Sequence, residues 1–392
     1  GSPPPKYSAY LEFMTAVRVF MENRQADSRV YAERAIALDS TFVNAYSLLA
    51  VTYTNVGLFD QAERVVDRLE SQRQRLSSYD RLHLDFLRAN NRYVADDILP
   101  LLQQLYARSG DPLMSYLIGF WALRVLRPDL ALPALQAADS AQTAVGWVGQ
   151  ARDVAIAQHQ LGDYRAELAA LERGTRLVPR GAPGYRSTRL RAFAGLGDSA
   201  AAVALADTLL REQNDPNLTV AAGNVHFGAR EFEAHGDTLA AARLRRMTLA
   251  WFHGHATPTP SIARQALLGY AWFDLRQYDS AAVYLRAAAR DTGNNAVTAA
   301  GYLGVIAAAT GDTAGALAVA DSLSRQTRKW DLGLSTWWRA AIVANLGQRD
   351  LALQLLTEAR RKGQAMNFCH YHTALRPLRG YRPFEDMIQP RK

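Results

Sequence analysis

The chain has one cysteine, Cys369. That single thiol excludes an intramolecular disulfide and any Cys-x-x-Cys zinc knuckle, and it leaves the compartment open. Lysine is almost as scarce. Lys6, Lys329, Lys362 and Lys392 are the four present, which leaves 41 of the 45 basic residues as arginine. These arginines are scattered rather than run together, so the net charge of +8 describes a solvated surface and not a nucleic-acid footprint. Long apolar runs are missing too. The longest uncharged stretch, Thr292 to Gly311, carries Asn294, Asn295 and three threonines, which is too polar for a membrane span and suits a buried helix. The strict apolar–polar alternation of a half-buried strand is found nowhere, so the chain reads as all-α.

Catalytic signatures are also lacking. There is no G-x-x-x-x-G-K-[ST] phosphate loop, no H-E-x-x-H zinc helix and no G-x-S-x-G elbow. Gly195-Leu-Gly197-Asp-Ser-Ala200 fits the dinucleotide pattern. That pattern has a mechanism only after a strand, and here a helical stretch precedes it. The histidines of "CHYH" (His370, His372) and "HGH" (His253, His255) have no characteristic ligand spacing. The expectation is therefore a chain with no catalytic residue, no metal and no cofactor.

What the sequence does have is repetition. "GDSAAAVALADTL" at Gly197–Leu209 returns 114 residues later as "GDTAGALAVADSL" at Gly311–Leu323. The same frame, with its glycine or an equivalent, occurs at positions 162, 197, 236, 276, 311 and 347, in steps of 35 to 40 residues. A period of that size marks stacked helical repeats. Each unit explains itself physically. Apolar residues at helical spacing come first, as with Tyr46, Leu49, Ala50 and Tyr53. Glycine then ends the helix where positive φ is needed, and Asp, Ser or Thr caps the next one. A small residue follows (Ala62, Ala202, Ala241, Ala281, Ala316, Ala352), which lets two antiparallel helices approach closely.

These residues resemble the tetratricopeptide repeat. Tyr46, Leu49, Ala50, Tyr53, Gly57, Phe59 and Ala62 fill all seven places of that pattern. Residues 268–288 follow with Leu268, Gly269, Trp272, Tyr278, Ala281 and Ala288, although Arg276 replaces the turn glycine. The resemblance implies a right-handed α-solenoid of about ten helix pairs over roughly residues 9–362. It divides the chain into a tag scar and proline-rich linker (1–8), repeats over 9–252, a hinge loop (253–261), repeats over 262–362 and a C-terminal cap (363–392). "AYLEFMTAVRVF" at 9–20 and "LRPLRGYRPFEDMI" at 375–388 are similar to segments of repeat regions attached to bacterial kinases, adenylate cyclases and transcriptional regulators. That similarity implies a portion of a signalling protein, cytoplasmic or extracytoplasmic.

In this family the groove is lined by the first helix of each pair. By register, the resemblance places Asn44, Ser47, Asn55, Tyr116, Phe120, Arg152, His159, Arg191, His226, Arg230, Tyr270, Phe273 and Trp337 there. The lysines of the family's carboxylate clamp are absent. Arg152, Arg191 and Arg230 recur at intervals of 39 residues and offer planar donors for carboxylates. The expectation is a non-catalytic scaffold that holds another protein or peptide, acidic in part, and no nucleic acid. The alternative is a module sensing a small molecule.

Overall fold

The computed structural model describes residues 4–22, 24–144, 149–177, 183–213, 219–291, 293–326 and 329–391. The expected tag scar, Gly1 and Ser2, lies outside the described residues. Among those described there are twenty-one α-helices, two short 3-10 helices and no strand. The first twenty pair in chain order. They are α1 (Tyr7–Met21) with α2 (Gln25–Leu38), α3 (Val43–Asn55) with α4 (Phe59–Glu70), and α5 (Ser78–Arg92) with α6 (Ala95–Ser109). Next come α7 (Pro112–Arg124) with α8 (Pro128–Ala144), α9 (Gly149–Leu161) with α10 (Tyr164–Leu177), and α11 (Pro183–Leu196) with α12 (Ser199–Glu212). The last four pairs are α13 (Val220–Ala234) with α14 (Thr238–Gly254), α15 (Ile262–Asp274) with α16 (Tyr278–Ala288), α17 (Asn294–Ala309) with α18 (Thr313–Ser324), and α19 (Leu334–Asn345) with α20 (Arg349–Arg361). The short α21 (Arg382–Ile388) follows. Among the described residues the fold is all-α, built of ten TPR-like helix pairs.

The repeated Gly-Asp phrase works as its chemistry requires. Gly162, Gly197, Gly236 and Gly311 all have φ between 69° and 89°, the left-handed region that glycine enters without steric cost. The following amide then reaches back to close the finished helix, Asp198 N to Phe193 O and Asp312 N to Ala307 O, both at 2.9 Å. The aspartate side chain starts the next helix. Asp163 accepts from Ala166 N, Asp198 from Ala201 N, Asp237 from Ala240 N and Asp312 from Gly315 N, at 2.8–3.0 Å. Arg276, which stands where the glycine is missing, takes the same turn at φ 59°. The small residues behind each turn, from Ala62 to Ala352, are buried to 1% exposure or less.

The chain forms two compact units, residues 1–122 with 133–150 and residues 123–132 with 151–392. The loop 253–261, expected as a hinge, lies inside the second unit, where Arg264 Nη2 donates to Phe252 O at 2.6 Å across it. The second unit has an aromatic core around Phe273, Tyr302, Trp337 and Trp338. The C-terminal segment joins that core through Cys369, Leu375, Leu378 and Phe384. It therefore does more than cover the last helix pair. No helix among the described residues is long and apolar enough to cross a membrane.

Candidate binding face of the second unit

All thirteen groove positions lie on first helices, but their surroundings differ. In the first unit Asn44 and Asn55 are exposed on α3, and Ser47 shares a 3.0 Å hydrogen bond with His83 Nε2. Burial holds the His83 imidazole down to about 4. Tyr116 is buried and Phe120 is half-buried with its ring edge-on to Trp121. In the second unit Arg152 is exposed. His159, His226, Arg230, Phe273 and Trp337 are buried, and Arg191 and Tyr270 are half-buried.

The three arginines do not form one free basic stretch. Arg191 Nε donates to Glu167 Oε1 at 2.7 Å. Arg230 donates Nε to Asp274 Oδ2 at 2.6 Å and Nη2 to Asp274 Oδ1 at 3.1 Å. A second bond from Nη2, at 2.6 Å, goes to Tyr302 Oη. Two of the three guanidiniums expected to meet an acidic peptide are thus held by carboxylates of this chain. Sequence reasoning missed those two carboxylates, Glu167 on α10 and Asp274 at the end of α15, and with them Glu231 and Glu233 on α13. The available signal was charge inside apolar first helices, "AREFEA" and "AWFDL".

The residues facing these acids belong to the C-terminal segment. Thr373 Oγ1 donates to Asp274 Oδ1, and Tyr302 Oη lies 3.4 Å from His372 Nε2. Arg376 donates Nε and Nη2 to the two oxygens of Glu233 at 2.6 and 2.7 Å, and Arg379 adds a bond to Oε1 at 3.0 Å. Arg245 of α14 completes the set at 2.6 Å. Backbone bonds fix both ends of the segment, from Met366 N to Arg124 O and from Arg391 N to Leu126 O, each 3.0 Å. Residues 366–391 thus touch α13, α15, α17 and α19, the first helices of four consecutive pairs. Burial alone would raise the Asp274 carboxyl. Arg230, His226 and Arg245 outweigh it and hold the group far below the usual carboxylate range.

Beside this segment lie two cavities. One of about 340 Å³ has Phe227, Arg230, Tyr270, Tyr302, Phe368 and His372 among its walls, with the Tyr270 and Tyr302 rings stacked at 4.6 Å. The other, of about 330 Å³, is walled by His159, Tyr164, His235, His370 and Glu385 among others. Beside it His159, Glu231 and His370 place one ligand atom each within 4.8 Å of one another, a set that could hold a metal ion. His159 and His370 stand 211 positions apart, so no spacing rule connects them.

No known family model matches this chain, and no curated protein matches its sequence. Solved structures of helical proteins do resemble it. NprR in complex with its cognate peptide NprX is 12% identical over 91% of this chain and 98% of that one, with a TM-score of 0.48. The apo quorum sensor NprR from B. thuringiensis is 12% identical over 90% and 97%, at 0.44. A human IFIT1 dimer with m7Gppp-AAAA is 10% identical over 91% of each chain, at 0.39. Likeness at this level says nothing about what the present chain binds.

Proposed function

We propose that this chain is a non-catalytic scaffold that binds a protein or peptide on the first helices of its second unit. One observation carries the reading: that face already holds a peptide segment, residues 366–391 of the same chain, in which only short helical turns interrupt irregular backbone. The holding groups are the carboxylates Glu231, Glu233 and Asp274, and the held groups are His370, Thr373, Arg376 and Arg379. The partner that suits this chemistry is basic with aromatic anchors, the opposite sign to the one inferred from arginine spacing. The similarity of residues 9–20 and 375–388 to repeat regions of bacterial signalling proteins supports a regulatory setting.

The cavity of about 340 Å³ favours a second reading, a small aromatic or polar ligand between the first helices and the segment. Its size falls within the common range of ligand sites, roughly 300–1,000 Å³.

A labelled peptide spanning residues 366–391 separates these readings. The scaffold reading expects it to bind weakly to the parent chain and more tightly to an Arg376→Ala/Arg379→Ala chain, whose own segment is loosened. Equal lack of binding to both chains sinks the peptide reading. A screen of small aromatic acids and amines by thermal shift then tests the other.

A further inference from the structure

His159, on α9, places its ring between two carboxylates. Nδ1 lies 2.8 Å from Glu167 Oε2, and Nε2 lies 3.7 Å from Glu231 Oε2. Glu167 also receives Arg191, so its charge is already matched inside the protein. A carboxylate accepts only, so the Glu167 contact places a proton on Nδ1. In the neutral ring Nε2 then presents a lone pair to the lone pairs of Glu231. His370, arriving on the C-terminal segment, sets Nε2 at 3.1 Å from the same Glu231 oxygen. The other oxygen of Glu231, Oε1, is buried and has no hydrogen-bond partner among the described residues. Glu231 Oε1 is thus an acceptor at this point that no described donor meets.

We propose that His159, Glu231 and His370 form a site for a divalent transition metal of the zinc class. Two imidazoles and one carboxylate suit that class and disfavour calcium or magnesium, which prefer oxygen ligands alone. With ligand bonds of about 2.0–2.2 Å, the edges of a tetrahedron are about 3.3–3.6 Å. The observed separations of 3.1 and 3.7 Å lie on either side of that length. The two imidazoles stand up to 4.8 Å apart and need to close by about 1 Å. The His370 side chain, 32% exposed on a non-helical segment, is the one free to move. Glu167 is the positioning residue, since a carboxylate on the far nitrogen is the usual partner of a metal-bound histidine. His159 and His370 both line the cavity that His235 and Glu385 also wall, which leaves room for a further ligand beside them. A metal here joins α9, α13 and the C-terminal segment, whatever the face binds.

The experiment is titration of the intact chain with Zn2+ by calorimetry, and with Co2+ by visible absorption. The expected result is one equivalent bound, with the intense d–d bands of a four- or five-coordinate Co2+ site. His370→Ala removes a ligand from a half-exposed segment and is expected to weaken binding by at least about a hundredfold, with helicity retained. Glu167→Gln is expected to weaken it by about 10–100-fold. His253→Ala/His255→Ala, which removes the surface pair, leaves it unchanged. In the parent, Zn2+ also slows proteolysis within residues 366–391. Absence of stoichiometric binding, leaving only a proton between these groups, overturns the proposal. Binding that survives His370→Ala and disappears in the His253/His255 variant overturns it equally.

Discussion

Arg230 on α13 and Asp274 on α15 meet through two parallel hydrogen bonds of 2.6 and 3.1 Å, with side-chain exposures of 2% and 0%. Neither charge is tolerable alone at that depth, because each is the nearest and strongest offset to the desolvation of the other. Tyr302 and Thr373 complete the set of bonds, so a first helix, its neighbour and the C-terminal segment share one ionic centre. Arg230→Met is expected to cost about 3–5 kcal/mol in urea unfolding, and Asp274→Asn somewhat less because it retains a polar partner. The paired Arg230→Met/Asp274→Asn chain is expected to lose clearly less than the sum of its two single changes, as a double-mutant cycle would read. Additive losses would mean that the two groups do not depend on each other.

His226 lies beside this pair, wholly buried, with neither ring nitrogen in a hydrogen bond among the described residues. Burial first, and then the nearby Arg230, holds its imidazole down to about 3. The unfolded chain takes up this proton near pH 6.5 and the folded one does not until about 3. Stability from this group is therefore complete above pH 6.5 and is lost as pH falls toward 3. By pH 5 the loss is about 2 kcal/mol. His226→Leu is expected to be near neutral in stability at pH 8 and to flatten the fall between pH 7 and pH 5. Urea midpoints across that range measure both, and an unchanged slope would contradict the assignment.

The turn at Arg276 allows a test of backbone strain alone. Arg276 is exposed, so its side chain contributes little packing, yet it sits at φ 59°. Arg276→Gly is expected to stabilise the chain by about 1 kcal/mol, because glycine avoids the left-handed penalty. The mirror change is Gly311→Ala, at φ 87° with open space around the added carbon, and it is expected to cost about 1–2 kcal/mol. A shift of the same sign for both variants would contradict this reading.

What could be read from the sequence was whatever the chain decides locally. Helix, left-handed glycine, aspartate cap and contact alanine fall within one repeat, so Gly197, Asp198 and Ala202 announced their roles by position. The register also put all thirteen groove residues on first helices. The sequence was silent on what joins repeats far apart. Arg230 and Asp274 are separated by 44 positions and Glu231 and His370 by 139, distances with no period in common. Counting arginines could not show that Glu167 and Asp274 of this chain hold Arg191 and Arg230. The C-terminal segment was legible as a closing element, but its path across four first helices depends on side chains in each of them.

Ala281 tests the packing that the repeat imposes. It is fully buried on α16, and Gly269 on α15 already lets Leu285 approach so closely that an added carbon would sit 2.7 Å from it. No slack remains between these two helices. Ala281→Leu is expected to overpack the contact and cost about 1–3 kcal/mol in chemical denaturation. A neutral substitution would show that the helices separate easily.

Glu233 gives the last test, since it gathers three arginines, Arg245 from α14 and Arg376 and Arg379 from the C-terminal segment. Burial would raise its carboxyl, but these guanidiniums, Arg376 foremost, hold it down to about 2. Glu233→Ala leaves the buried Arg245 facing the partly buried Arg376 and Arg379, and these two are on the element best able to leave. The segment should therefore detach while the helix pairs stay folded. Hydrogen exchange over residues 366–391 is expected to speed up at least tenfold, with little change over α15 and α16. Arg376→Ala/Arg379→Ala should also release the segment, but with less loss of global stability, because the Arg245–Glu233 pair survives. Unchanged exchange over residues 366–391 in both variants would show that apolar anchoring by Leu375, Leu378 and Phe384, and not this ionic cluster, holds the segment in place.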